Sequence, residues 1–224
     1  MATSSRSVAN DVSNVLDFLQ ESDLALYVNA VDERPDRVTF HRHDPTAEFL
    51  INHSHPDINQ YRRWVEVGAY SAVLPDASLL QLTYDIAGGE ISGHRLAYIP
   101  CPFDVDTELL RSEPILDVVD LHRTDEPLLR SPIRFDFDPA AAKPGHPAAH
   151  MTINGMDCRV ACVAPVHPLR FADFVFRHFY PTMWSAQAGF FEAAPYRHFG
   201  RSVLADDDRQ SLHLMWDVHA KSSA

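Results

Sequence analysis

The chain has 224 residues, 46% of them hydrophobic, which is enough to bury one substantial core; its formal net charge is −12 and its pI is near 5.4. That balance excludes broad electrostatic capture of nucleic acid, whose affinity comes from Lys and Arg displacing counterions, and leaves room only for a local basic patch. Lysine occurs only at Lys143 and Lys221 and no G-x-x-x-x-G-K-[ST] is present, which counts against P-loop, lysine-dependent nuclease and Schiff-base chemistry and leaves cationic roles to arginine.

No apolar run approaches the roughly 20 residues that cross a bilayer, and the N-terminus M-A-T-S-S-R-S lacks the apolar core of a signal peptide. Cys101, Cys158 and Cys162 are a small odd set that suits a reducing compartment, so a cytoplasmic protein without a membrane partner is expected. On one strand Cys158 and Cys162 would share a face as small buried hydrophobes.

In chain order, Val8, Val12, Val15, Leu16 and Leu19 recur at helical spacing and predict an amphipathic helix over Ser7–Glu21. Leu24–Val28 extends that helix or begins a strand, and Val38–His41 reads as a short strand. His41, His43, His53 and His55 sit beside Asp44-Pro45 and Pro56-Asp57, which mark solvated loops. The period then changes to two. Strands are expected at Trp64–Leu74, Leu79–Ile86 and Glu90–Ile99, joined by a type I turn at Leu74-Pro75-Asp76-Ala77 and a tight turn at Gly88-Gly89. With those glycines at the turn, Thr83 faces His94 and Leu82 faces Arg95, which puts His94 on the polar face and Arg95 on the apolar one. Pro100-Cys101-Pro102 ends this meander, and Asp104–Arg130 is an acidic excursion holding a short helix or edge strand at Ile115–Leu121.

The stretch Ser131–Pro165 carries the densest polar pattern. Ile133, Phe135 and Phe137 alternate with Arg134, Asp136 and Asp138, so both carboxylates project from one strand face, where hard divalent cations find oxygen ligands. The same pair on a solvated face would instead be balanced by Arg134. His146 stands in a rigid P-G-H-P setting. His150, Thr152 and Asn154 alternate with Met151 and Ile153, and Asn154-Gly155 signals a two-residue hairpin that would set Thr152 against Asp157 and His150 against Arg159. An imidazole can ligate metal or move a proton, and a guanidinium can hold an anion.

Farther on, Pro168 opens a helix whose stripe of Phe171, Phe174, Val175, His178 and Phe179 ends at Pro181, with His178 as a core histidine. Phe190, Phe191, Tyr196 and Phe199, interleaved with Arg197 and Arg201, read as a second packing layer. Asp206-Asp207-Asp208 would cap a last helix bearing Leu212, Met215 and Trp216, although Leu212, Leu214 and Trp216 also alternate as a strand does.

The order H-R-L-A-Y-I-P-C-P-F at His94–Phe103, R-F-D-F-D-P at Arg134–Pro139, H-P-A-A-H-M-T-I-N at His146–Asn154, C-R-V at Cys158–Val160 and F-R-H-F-Y-P at Phe176–Pro181 resembles a bacterial family known as domain of unknown function 2290. The resemblance covers most of the chain from about Trp64 to Tyr180. It carries no activity or catalytic residues, and implies genes near mobile-element or defence loci.

The expected fold is therefore α+β: an antiparallel sheet of about five or six strands in two meander segments, packed by N-terminal and C-terminal helices. Residues 1–224 are read as a single domain, with N-terminal helix and loops at 1–63, sheet core at 64–165 and a helical, aromatic segment at 166–224. Two functions follow. One is a metal-assisted hydrolase or nuclease on a phosphodiester, with Asp136 and Asp138 holding Mg²⁺ or Mn²⁺, His150 or His146 as ligand or base, and Arg159 and Arg95 binding phosphate. The other is a non-catalytic subunit of a defence or toxin–antitoxin cassette, bound to a protein partner encoded nearby.

Overall fold

The structure is a computed structural model and describes residues 3–41, 57–154, 158–193 and 201–216. In order its elements are α1 (Ser5–Glu21), β1 (Tyr27–Val28), β2 (Val31–Arg34), β3 (Arg37–Phe40), α2 (Ile58–Glu66), β4 (Ala72–Val73), β5 (Leu79–Ala87), β6 (Glu90–Ile99), α3 (Ile115–Leu121), β7 (Ile133–Phe137), β8 (Ala149–Ile153), β9 (Arg159–Cys162), α4 (Pro168–Phe179), α5 (Pro181–Ala186), α6 (Ala188–Ala193), α7 (Asp206–Arg209) and β10 (His213–Leu214). Among the described residues ten strands make one open sheet in the order β1-β4-β5-β6-β7-β8-β9-β10, with the β2–β3 hairpin joined through β3 to β5. All pairings are antiparallel except β9–β10, which is parallel. The α+β class thus holds, with more strands than the five or six expected, and with β1–β3 and β10 outside the 64–165 segment.

Alternation sorts the sheet into two faces. Leu80, Leu82, Tyr84, Leu96, Tyr98, Phe135, Phe137 and Met151 meet Val12, Leu16 and Leu19 of α1 and Phe171, Val175 and Phe176 of α4 in the larger core. Ser4 caps α1, its Oγ accepting the Ser7 N–H at 3.1 Å, and Pro168 opens α4 at its first turn. On the opposite face, Leu79, Ala97 and Ile99 pack with Tyr61 and Trp64 of α2 and with Ile115, Val118 and Val119 of α3.

The strand expected at Trp64–Leu74 is not formed as such: its first three residues end helix α2, and residues 67–71 are turn and loop. Asp57 caps the helix by accepting the Gln60 N–H at 2.9 Å. Gly68, at φ 67°, closes it, with the Ala69 N–H donating to the Trp64 carbonyl and the Gly68 N–H to that of Val65. Only Ala72–Val73 of that stretch joins the sheet. The following turn is as expected: the Ala77 N–H donates to the Leu74 carbonyl at 2.9 Å.

The β5–β6 hairpin turns at Gly88 and Gly89, at φ 61° and 78°, and pairs Ala87 with Glu90 and Ile86 with Ile91. Beyond that the register shifts: Asp85 pairs with Gly93 and Thr83 with Arg95, which leaves Ser92 as an inserted residue. The bulge reverses the expected faces. His94 lies in the core beside Tyr84, and Arg95 lies on the opposite face with Thr83.

Several local expectations also change. Cys158 is exposed while Cys101 and Cys162 are buried. His178 is exposed, its ring 4.9 Å from that of Phe174. Asp206–Arg209 is helical and His213–Leu214 is strand, so the final segment divides between the two alternatives. Phe190 and Phe191 pack as expected: Phe190 stacks on Phe18 and Phe191 is buried. His43, His53, His55, Asp157, Tyr196, Arg197, Phe199 and Lys221 lie outside the described residues. Among the described residues no helix is long and apolar enough to cross a membrane.

Candidate functional site

The second sheet face changes character along its strands. Near Leu79 and Ile99 it is apolar and covered by α2 and α3; two to four residues farther along it becomes polar. One cross-strand row runs Thr83, Arg95, Asp136, His150, Ala161, and the adjacent row runs Gln81, Ala97, Arg134, Thr152, Arg159. Neighbouring strands lie about 4.8 Å apart, so these side chains share one short stretch of surface.

The expected register of β8 on β9 is displaced. Arg159 pairs with Thr152, and His150 with Ala161, so the connection is longer than the two-residue turn read at Asn154-Gly155. The displacement is two residues. Because side chains alternate with period two, Arg159 keeps its expected face. Asp138 departs from the pattern: it follows β7 and caps a 3-10 turn at Pro139–Ala141, its Oδ1 accepting the N–H groups of Ala140 and Ala141 at 3.1 and 3.2 Å. The chain then turns back at Pro144-Gly145, where Gly145 has φ 75° and Lys143 and His146 exchange backbone hydrogen bonds of 3.1 and 2.8 Å. Proline followed by positive-φ glycine is a type II turn, and it sets His146 beside β8.

All six candidates, Arg95, Asp136, Asp138, His146, His150 and Arg159, line one hollow of about 150 Å³, together with Arg134. Arg134 was seen from sequence only as a balancing charge. Its Nε donates to Asp136 Oδ2 at 2.6 Å, and both side chains are largely buried. On the other side of Asp136, His150 Nε2 stands 3.6 Å from Oδ2. His150 Nδ1 donates to the Pro147 carbonyl at 2.8 Å, so the neutral ring presents a bare Nε2 to the carboxylate. Burial lowers the His150 pKa from its usual value, against the raising influence of Asp136 and of the Pro147 hydrogen bond. The His146 ring meets that of His150 edge-on at 4.9 Å, and its Nδ1 is buried with no hydrogen-bond partner.

Three guanidiniums therefore face two carboxylates in a chain whose formal charge is −12. One carboxylate is engaged by Arg134 and the other by backbone N–H groups. Among the described residues no group of three or more His, Cys, Asp or Glu side chains converges as metal ligands do. The arrangement is chemically suited to grip a small anion by charge-assisted hydrogen bonds, with an imidazole at its rim.

No curated protein and no solved structure matches this chain. One family model does, over residues 21–216, a span that includes every residue of the hollow. The chain accordingly belongs to the family described as Uncharacterized conserved protein (DUF2290).

Proposed function

We propose that the hollow holds the phosphoryl group of a phosphodiester and that the protein hydrolyses that bond, acting as a nuclease where the diester is a nucleic-acid backbone. The observation that carries this reading is the convergence of Arg95, Arg134 and Arg159 with His146 and His150 in one small hollow. Arg95 and Arg159 hold the non-bridging oxygens. His146, the more exposed imidazole, takes a proton from the attacking water as the new P–O bond forms, and returns it to the leaving oxygen as the ester bond breaks. His150, fixed by Pro147, braces His146 from behind. A divalent cation, Mg²⁺ or Mn²⁺, would enter through Asp136 and Asp138 and would have to displace their present partners.

Hydrolysis of bis(4-nitrophenyl) phosphate and of labelled single-stranded RNA and DNA, each in EDTA and in Mg²⁺ or Mn²⁺, tests the reading. Activity that survives EDTA and falls roughly a hundredfold or more in His146→Ala is expected. Activity that needs metal and vanishes in Asp136→Asn would return the central role to a cation, and inactivity under every condition would end the hydrolase reading.

A second reading has its own support: the closed Arg134–Asp136 pair is what a non-catalytic partner subunit of a defence or toxin–antitoxin cassette would retain for structure. Co-purification with the product of a neighbouring gene, together with inactivity above, would favour it. A cytoplasmic location is part of the same proposal, and the small odd set of cysteines in the sequence supports it.

A further inference from the structure

A larger cavity, of about 440 Å³, lies at the other end of β6 and β7, between the start of β7 and the end of α4. Its wall includes Asp76, Tyr98, Leu129, Arg130, Phe179 and Tyr180. The Tyr180 hydroxyl donates to both oxygens of Asp76 at 2.9 and 3.0 Å, and the Ser78 N–H donates to Oδ1 at 3.0 Å. Tyr98 therefore donates to Tyr180, 3.2 Å away, and its ring stacks on Phe179 at 4.6 Å. Burial pushes both phenols to higher pKa, so they remain neutral donors. A carboxylate has about four acceptor positions, and these bonds leave Asp76 with capacity on Oδ2.

Arg130 faces the same cavity. Its Nη1 donates to the Cys101 carbonyl at 3.2 Å, which leaves most of the guanidinium fork unused. Asp76 and Arg130 carry opposite charges on one cavity wall, yet among the described residues neither has an ion-pair partner. The same cavity is lined by exposed apolar side chains: Phe179 is 40% exposed and Leu129 fully so. A volume of this size falls within the range of small-molecule sites.

We propose that this cavity binds a zwitterion of about dipeptide size with apolar side chains, its ammonium on Asp76, its carboxylate on Arg130 and its body against Phe179 and Leu129. Each charged end replaces water on a group that the fold has anchored but not paired, so a ligand that carries both ends gains at both groups.

Calorimetric titration of the full chain with leucyl-leucine, N-acetyl-leucyl-leucine and leucyl-leucine amide tests this. Leucyl-leucine should bind saturably at millimolar or lower concentration, and each blocked analogue should bind roughly tenfold or more weakly. Asp76→Asn, which keeps an acceptor for the Ser78 N–H, should no longer distinguish leucyl-leucine from its N-acetyl form. Arg130→Met should no longer distinguish it from the amide. Equal binding of all three ligands, equal discrimination in both variants, or no saturable binding of leucyl-leucine would each overturn the proposal.

Discussion

His94 is 2% exposed, and its Nε2 accepts the Val166 N–H at 2.8 Å, where the chain enters α4. Its ring lies 5.7 Å from Tyr84 and 5.9 Å from Phe137. Protonation would both break the Val166 bond and place a charge in the larger core, and burial lowers the His94 pKa to about 3. The unfolded chain takes up this proton near the ordinary value of about 6.5. Between those values the unfolded state binds more protons than the folded one, so stability rises with pH there. The contribution is fully present above about pH 6.5 and is lost as pH falls toward 3. The slope is at most about 1.4 kcal/mol per pH unit, so lowering pH from 7 to 5 costs roughly 2 kcal/mol through this residue. Urea unfolding of the wild type and of His94→Gln across that range measures it. Glutamine can accept the Val166 N–H and does not titrate, and the other acidic and basic groups cancel in the comparison. The variant should lose the extra slope between about pH 5 and 6.5. Parallel pH profiles would refute the reasoning.

Two further outcomes concern the hollow. Asp136→Asn leaves Arg134 without its carboxylate in a setting where the two side chains are only 18% and 10% exposed; a loss of about 3 kcal/mol in denaturant midpoint experiments is expected. Adding Arg134→Met should recover part of it, since the guanidinium that had faced the Asp136 carboxylate is then removed as well. Deleting Ser92 removes the bulge and drives Arg95 toward the core and His94 out of it; loss of cooperative unfolding by circular dichroism is expected, whereas a wild-type midpoint would show that the bulge does not set the faces.

What was legible in sequence depended on run length. Strand β6 and helix α4 fall where their patterns place them, because a run bounded by Gly88-Gly89 and Pro100 and a proline-bounded aromatic stripe have few competing readings. The strands β1, β4 and β10 have two residues each, too short for any period, and so the sheet was undercounted. Trp64–Leu74 looked like a strand because its apolar residues are dense; the Asp57 cap and Gly68 terminator were the signals for α2 that alternation masked. An uninterrupted ladder from Gly88-Gly89 would put His94 on the polar face, and the single inserted residue at Ser92 exchanges His94 and Arg95. An error of the same kind in β8–β9 amounted to two residues and left the faces intact, which is why Asp136, His150 and Arg159 still share the hollow. The grip of Arg134 on Asp136 is a same-strand contact that both readings of the sequence allow.

If the hollow is an anion site, its arginines carry the binding. Titration calorimetry of inorganic phosphate against the wild type, Arg95→Met and Arg159→Met tests it most directly. Saturable binding that weakens roughly tenfold or more in each variant, and with rising salt, is the expected result. Absence of phosphate binding, or affinity unchanged when both arginines are replaced, would contradict it.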